Sequence, residues 1–171
     1  MTTNKVDGNL FEKVSIDEQP SPVEYKGTVY ILSGLPGAAK SFTANVILDA
    51  CTWREQSCEV CCADDFFMVN GVYKWRADGI AQAHAECRAK FKNALDNHTD
   101  VVIVANTNTT TKETEYYETE ANKAGYFVQK LLVGELTNEA VDVYAKRNLH
   151  GVSKEIILKM RDRILKTLNV I

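Results

Sequence analysis

The stretch that most constrains this chain joins an apolar strand to a glycine-containing turn and then to a Lys-Ser pair that opens a helical pattern. It reads Tyr30-Ile31-Leu32-Ser33-Gly34-Leu35-Pro36-Gly37-Ala38-Ala39-Lys40-Ser41. This order is typical of a phosphate-binding loop (P-loop), in which backbone N–H groups and a helix N-terminus face the phosphates of a nucleotide. In such a loop Lys40 contacts the β- and γ-phosphates, and the Ser41 hydroxyl binds Mg²⁺. The sequence therefore predicts a user of ATP or GTP that binds the nucleotide through Gly34, Leu35, Pro36, Gly37, Ala38, Ala39, Lys40 and Ser41.

Ala39 departs from the usual loop pattern. The pattern G-x-x-x-x-G-K-S/T has glycine at the place of Ala39. A residue other than glycine at positive φ costs about 1 kcal/mol, which a folded loop tolerates. The alternative is an ordinary strand–turn–helix with a chance Lys-Ser pair, and the well-formed flanking strand and helix argue against it.

Length and charge limit the possible functions. The 171 residues suit one domain with a sizeable core. A formal net charge of −3 is not typical of a protein that binds long stretches of nucleic acid, and it leaves room for contact with an end or a single base. No apolar run approaches the roughly 20 residues of a membrane helix, so we expect no membrane partner.

Two regions differ in composition. Residues 1–25 are polar and lack periodicity, and they include Pro20 and Pro22, so they predict a flexible N-terminal tail. Residues 26–171 predict a single P-loop domain. The first residues carry no signal-peptide pattern, which predicts a cytoplasmic protein, or one of the host cytoplasm if it is viral.

The five cysteines indicate a reducing compartment, because an odd count argues against a disulfide framework. Cys58 and Cys61 form a C-x-x-C pattern inside a predicted strand. Residues three apart in a strand point to opposite faces, which favours small buried side chains over a metal or redox pair.

Strand and helix patterns alternate from Gly27 onward, which predicts βαβ units and a parallel sheet. Thr110 and Glu113 form the pattern of a capping box, and Gly125 suits the end of the helix that follows. The predicted fold is α/β, a three-layer P-loop NTPase fold with a mostly parallel sheet. Its predicted strands cover residues 28–33, 58–63, 101–105 and 127–133, and its helices cover about 40–53, 80–96, 110–125, 137–149 and 153–168.

Polar clusters follow the second and third strands, as Ala63-Asp64-Asp65 and Asn106-Thr107-Asn108. The carboxyl ends of parallel strands meet at one edge, so both clusters should face the nucleotide. Asp64 is our candidate general base for phosphoryl transfer, and Asp65 our candidate Mg²⁺ ligand. A structural helix cap is the alternative for either carboxylate. Asn106 is assigned to the substrate side, where it would orient Mg²⁺-bound water or a phosphate, with a turn residue at the strand end as its alternative.

Two further groups lie near this edge in the predicted topology. Lys146 and Arg147 end a helix, where they predict either a cation over the γ-phosphate or a solvated helix face. The aromatic segment Phe66-Phe67-Met68…Tyr73-Lys74-Trp75 follows the aspartates, and it predicts either base stacking or a hydrophobic anchor. The three histidines are interpreted as structural, and His150 lies three residues beyond the Lys146-Arg147 pair.

Taken together, these pieces resemble the small P-loop kinases, often grouped with AAA-type ATP-binding domains, that are related to bacteriophage polynucleotide 5′-hydroxyl kinase. The resemblance extends over about residues 27–165. It rests on Ser33-Gly34-Leu35-Pro36-Gly37, Lys40-Ser41, Ala63-Asp64-Asp65-Phe66-Phe67, Ala83-His84-Ala85-Glu86-Cys87, Asn106-Thr107-Asn108-Thr109, Gly125-Tyr126 and Lys146-Arg147-Asn148-Leu149-His150-Gly151-Val152.

The resemblance implies an ATP-dependent phosphotransferase that uses Mg²⁺ and a hydroxyl on nucleic acid. It implies Asp64 as base, Lys40 and Ser41 on phosphate and metal, and Arg147 on the phosphates from the lid. Ala105 stands where close relatives often carry Asp, and Phe67 stands where the phage end-kinase has an Arg that binds the acceptor strand.

An aromatic residue at position 67 suits a held base, as in the related phage kinases that phosphorylate 5-hydroxymethyluracil in DNA. The resemblance therefore favours the hydroxymethyl group of that base in phage DNA, a hypermodification, slightly over a 5′-hydroxyl end. A nucleoside or nucleotide kinase, and a module that binds nucleotide without turnover, are the competing functions. The oligomeric state and the choice of ATP over GTP stay open.

Overall fold

The structure is a computed structural model, and it describes residues 23–169. Most of the predicted N-terminal tail lies outside the described residues. Within these residues, six strands and five α-helices follow one another in chain order. They are β1 (Thr28–Ser33), α1 (Lys40–Trp53), β2 (Cys58–Cys61), β3 (Met68–Val69), β4 (Val72–Tyr73), α2 (Ile80–Asp96), β5 (Val101–Val104), α3 (Thr111–Ala124), β6 (Phe127–Leu132), α4 (Asn138–Arg147) and α5 (Lys154–Thr167).

Four strands form a parallel sheet in the order β2-β5-β1-β6. In register, Ile31 of β1 pairs with Val104 of β5, and Val104 pairs with Cys61 of β2. The carboxyl ends of three neighbouring strands are therefore level. The chain segments that leave them begin at one edge, as parallel topology requires for a ligand site.

Helices cover both faces of the sheet, which confirms the predicted three-layer α/β fold. Side chains of α2 and α3 pack on one face around Phe91 and Tyr117, and α1 packs on the other around Ala44 and Cys51. All four residues of β5 are buried, as its continuous apolar run predicts for a central strand. The side chains of Cys58 and Cys61 pack on opposite faces of the sheet, as the alternation of side chains along a strand predicts.

Helix caps set the ends of the last three helices. Thr137 and Ser153 cap α4 and α5 by accepting from the N–H groups of Ala140 and Ile156. The predicted capping box at α3 is altered, since Thr110 makes no side-chain cap bond. The Glu113 carboxylate instead accepts from the backbone N–H and hydroxyl of Thr109.

The predicted second strand is shorter in the structure. β2 ends at Cys61, and a 3₁₀ helix over Ala63–Phe67 carries both aspartates. An antiparallel hairpin of β3 and β4 follows, with Asn70 and Gly71 both at positive φ in its turn. Asn-Gly is the preferred pair for a two-residue hairpin turn, so the sequence holds a hairpin signal that our interpretation did not use. Across residues 23–169, none of the helices combines the length and apolar character needed to cross a bilayer.

Candidate active site

A cavity of about 950 Å³ opens at the carboxyl edge of the sheet. The P-loop, the 3₁₀ helix with the aspartates, the end of β5 and the segment after α4 all contribute to its walls. The structure thus brings together most residues that the sequence assigned to the site. Those that line the cavity are Pro36, Gly37, Ala39, Lys40, Ser41, Asp64, Asp65, Phe67 and Arg147.

The P-loop is anchored from below by its apolar side chains. Leu35 and Ala38 are buried against Val141, Tyr144 and Ile157 of α4 and α5. Full burial of a leucine side chain contributes about 1.5–3 kcal/mol. These two residues, predicted to bind nucleotide, therefore shape the loop through packing, while Pro36, Gly37, Ala39, Lys40 and Ser41 border the cavity.

Two residues of the loop adopt left-handed backbone conformations. Gly37 has φ 82°, and a Cβ atom there would lie 2.6 Å from the Tyr144 carbonyl oxygen, so glycine is required. Ala39 has φ 71° and ψ 31° where the usual pattern has glycine. The loop therefore keeps the P-loop conformation at position 39 despite the strain of a Cβ atom.

Replacing Ala39 with Gly should raise the free energy of unfolding by about 0.5 kcal/mol, since relief of left-handed strain exceeds the added chain entropy. Urea denaturation measures the change. Ala38→Gly is the matched control, because Ala38 is buried and should lose stability by about 1 kcal/mol. A loss of more than 1 kcal/mol in the Ala39→Gly protein would show that the loop is not strained at this position.

Lys40 opens α1 and points back into the P-loop. Its Nζ donates to the carbonyl oxygens of Gly34 at 3.1 Å and Leu35 at 3.0 Å. Burial lowers the pKa of Lys40 to about 8, and the nearby Asp64 carboxylate opposes part of that decrease. The ammonium group is thus poorly solvated, and an anion that binds next to it stabilises its charged form.

This pKa predicts a pH dependence of ATP binding. Lys40 is protonated below about pH 8 and neutral above it, while phosphate oxygens favour the protonated form. Binding above pH 8 therefore takes up a proton, and the Kd for ATP should rise about tenfold per pH unit from pH 8 to pH 10. Calorimetric titrations at a series of pH values test this. A Kd that stays constant up to pH 10 would contradict it.

Asp64 lies on the 3₁₀ helix that follows β2, with its side chain 51% exposed. Its Oδ1 accepts a hydrogen bond from the Tyr73 hydroxyl at 3.1 Å, and its Oδ2 lies 3.5 Å from Nε2 of His150. The rings of Tyr73 and His150 are in contact, with centroids 4.3 Å apart. The hairpin and the segment after α4 therefore meet at the candidate base, and each contacts one oxygen of its carboxylate.

Asp65 supplies the second carboxylate of the cavity. Burial and the neighbouring Asp64 raise its pKa, while Lys90 opposes the increase. The Ser41 hydroxyl lines the same cavity. Mg²⁺ binds through one or two protein oxygens, substrate phosphates and water, so this donor pair fits the predicted ion.

Asn106 lies elsewhere than the sequence suggested. Its side chain is 8% exposed. The Oδ1 atom accepts from the backbone N–H of Ala63 at 2.8 Å, and Nδ2 donates to Cys87 Sγ and the Tyr117 hydroxyl, each at 3.5 Å. Its polar atoms are thus engaged within the protein, and Asn106 positions the start of the aspartate segment instead of facing a ligand.

Phe67 has most of its ring in the core, where it is 4% exposed. It packs edge-on against Phe66 at 5.2 Å and Tyr73 at 6.0 Å between ring centroids. Its contribution to the cavity is a small part of the wall. The ring therefore supports the hairpin, and it has little free face for a stacked base.

Arg147 ends α4 above the P-loop. Its Nε donates to the Gly37 carbonyl oxygen, and its guanidinium carbon lies 4.9 Å from the centroid of the Tyr144 ring. Asn148 closes the segment that follows, because its side chain bonds with both the N–H and the carbonyl of Val152. The structure therefore places a cation at the mouth of the loop, on the segment predicted to act as a lid.

Three cavity residues had no assigned role in the sequence interpretation. Tyr73 and Trp75 were part of an aromatic segment with two possible uses, and His150 was interpreted as structural. Tyr73 and His150 contact Asp64, and Trp75 lines the same cavity, an arrangement that depends on the hairpin and the segment after α4. A single sequence shows neither of these close approaches.

Comparison with family models finds no match. Among curated proteins, the chain is similar to NEDD4-binding protein 2 of Homo sapiens, with 30% identity over 147 residues. The alignment covers 85% of this chain and 8% of the human protein. The chain thus spans less than a tenth of that relative's length.

Among solved structures, the chain resembles one from the Pnkp1/Rnl/Hen1 RNA repair complex, with a TM-score of 0.69, 18% identity and coverage of 90% of this chain and 49% of that one. It also resembles the Mycobacterium tuberculosis APS kinase in complex with AMPPNP and APS, with a TM-score of 0.51, 10% identity and coverage of 85% and 99%. These likenesses show the fold alone, and they confirm the predicted three-layer P-loop NTPase fold with a mostly parallel sheet.

Proposed function

We propose that this protein is an ATP-dependent kinase that transfers the γ-phosphoryl group to a hydroxyl of a nucleotide or polynucleotide. One observation carries the proposal: a P-loop lysine and an aspartate carboxylate border the same cavity. A phosphate cradle alone would suit any nucleotide-binding protein. A carboxylate beside it adds the group that accepts a proton when a hydroxyl attacks phosphorus.

Each residue has a distinct task in this reaction. The acceptor oxygen forms a bond to the γ-phosphorus, the bond from that phosphorus to the β–γ bridging oxygen breaks, and the hydroxyl proton passes to Asp64. Lys40 and Arg147 provide positive charge for the phosphate oxygens. Ser41 and Asp65 would hold Mg²⁺, which neutralises charge on the phosphates when it is bound.

Two polynucleotide hydroxyls are candidate acceptors. The hydroxymethyl group of 5-hydroxymethyluracil in phage DNA was favoured because of the aromatic residue at position 67. Burial of Phe67 weakens that reason, because a ring that is 4% exposed offers little surface to a base. The likeness to a chain of an RNA repair complex favours the second candidate, the 5′-hydroxyl end of a strand. We therefore propose a polynucleotide hydroxyl, with these two as the narrower hypotheses.

Transfer of labelled γ-phosphate from ATP tests the proposal. One substrate is a duplex that contains 5-hydroxymethyluracil and has blocked ends. A second set has ordinary bases and free 5′-hydroxyl ends, as DNA and as RNA, and a third contains free nucleosides. Label on the first or second set identifies the polynucleotide hydroxyl, and label only on nucleosides replaces it with a small acceptor. ATP binding without transfer to any of them would contradict the kinase proposal.

A further inference from the structure

The hairpin beside the cavity carries an exposed apolar surface. Met68, Val69 and Val72 on its two strands are exposed, and Trp75, just after it, is 56% exposed. Isolated apolar side chains on a surface are ordinary, but a contiguous group of this kind marks a contact surface. The hairpin is therefore a candidate for binding something larger than a phosphate group.

This surface is continuous with the candidate active site. Met68, Tyr73 and Trp75 all line the cavity, and the Tyr73 hydroxyl is bonded to Asp64. The Lys74 backbone N–H donates to the Phe67 carbonyl oxygen at 2.8 Å, which fixes the start of the segment after β4. A group that contacts Trp75 therefore borders the same cavity in which an acceptor hydroxyl must meet Asp64.

Cations flank the exposed tryptophan on both sides in the chain. Lys74 and Arg76 are exposed, and the Arg76 guanidinium carbon lies 5.5 Å from the centroid of the Phe66 ring. Asp78 is 3.8 Å from Arg76 and highly exposed, so it neutralises that charge only weakly. An exposed indole between two cations matches the chemistry of single-stranded nucleic acid, whose bases stack on aromatic rings while cations contact the phosphates.

We propose that Lys74, Trp75 and Arg76 form a binding site for single-stranded nucleic acid next to Asp64. Trp75 stacks on a base near the reacting hydroxyl, and Lys74 and Arg76 contact the adjoining phosphates. The role of this strand as the acceptor rests on the proposed kinase function, whereas its binding does not. A net charge of −3 is compatible with this short basic segment, because the segment contacts only a few nucleotides and not a long stretch of nucleic acid.

Binding can be measured without catalysis because the chain has two tryptophans. Trp53→Phe leaves Trp75 as the single fluorophore, and Trp75→Phe leaves Trp53, which is exposed at the end of α1. Titration with eight-nucleotide DNA and RNA strands, without ATP, should quench Trp75 and leave Trp53 unchanged. The DNA and RNA arms identify which strand is preferred. Absence of quenching with either strand would overturn the site, whatever the kinase assay gives.

The salt dependence of binding supplies a second readout. Removing both cations with Lys74→Ala and Arg76→Ala should reduce the slope of log K against log salt by about 1.4, at about 0.7 per phosphate contact. Lys112→Ala on the exposed surface of α3 is the matched control and should keep the slope. An unchanged slope in the double variant would overturn the assigned phosphate contacts.

The kinase assay separates this site from the nucleotide site. Trp75→Ala should raise KM for the polynucleotide acceptor about 5- to 150-fold, the effect of one lost stacking contact, and leave KM for ATP unchanged. Equal KM values for wild type and variant, measured while transfer is active, would overturn the site and leave the kinase function in place. A dimer that dissociates in the Trp75→Ala protein would instead assign the surface to a second copy of the chain, which also overturns it.

Discussion

Replacing Asp64 with Asn is expected to lower kcat about 100- to 10,000-fold and to leave the Kd for ATP within about threefold, the range for loss of a general base. The amide keeps the size of the side chain and its place beside Tyr73 and His150, but it cannot accept the acceptor proton at neutral pH. Single-turnover transfer of labelled phosphate measures the rate, and calorimetry measures ATP affinity.

Asp49→Asn is the control for this experiment, because Asp49 is an exposed carboxylate on α1 outside the cavity. It should keep full activity. Tyr73→Phe removes the hydroxyl that bonds with Asp64 and should reduce kcat less than Asp64→Asn does. Full activity in the Asp64→Asn protein would remove Asp64 from the mechanism.

Replacing Arg147 with Ala is expected to lower kcat about 1,000-fold or more, the magnitude for removal of an arginine that stabilises the transferring phosphoryl group. Both side chains are exposed, but Arg147 borders the cavity and bonds with the P-loop, whereas Lys146 does not line the cavity. Lys146→Ala therefore also removes one positive charge but leaves the residues that line the cavity unchanged. It should retain a nearly normal kcat.

The Arg147 result is interpretable only if the P-loop keeps its shape. The ATP Kd and the urea midpoint of the Arg147→Ala protein report on that shape, and both should change little. Arg147→Lys should recover part of kcat, because it restores charge without the planar guanidinium. Equal losses in the Lys146→Ala and Arg147→Ala proteins would assign the effect to general charge on α4.

The predicted fold agrees with the structure where local signals act together. β1 and α1 begin and end at the predicted residues, because an apolar strand, a P-loop and a helix succeed one another without ambiguity. Gly125 ends α3 as the sequence predicted, and it does so in a left-handed conformation. The hairpin was missed because two strands of two residues each give no periodic pattern, and the Asn-Gly turn was its one local signal.

The sequence predicts the P-loop part of the candidate site well, and it predicts the residues around the P-loop less well. Lys40 and Asp64 follow strands whose ends share an edge, so topology alone places them together. Asn106 had the same position in the sequence pattern, yet its side chain turns inward to the Ala63 N–H. Phe67 was likewise placed by chain order, and its burial depends on Phe66 and Tyr73. The direction in which a side chain points after a strand depends on tertiary packing, and residue spacing in the sequence does not predict that packing.

Within residues 23–169, the hydrogen bonds that Lys40 and Arg147 donate all end on main-chain oxygens of the P-loop. Gly34 and Leu35 accept from Lys40, and Gly37 accepts from Arg147. A side-chain substitution cannot delete a carbonyl group, so sequence drift in the loop leaves this arrangement intact wherever the backbone path survives. Because the acceptors are carbonyl groups, the positions of both cations depend on the backbone path of the loop, and Ala39 keeps that path at φ 71°.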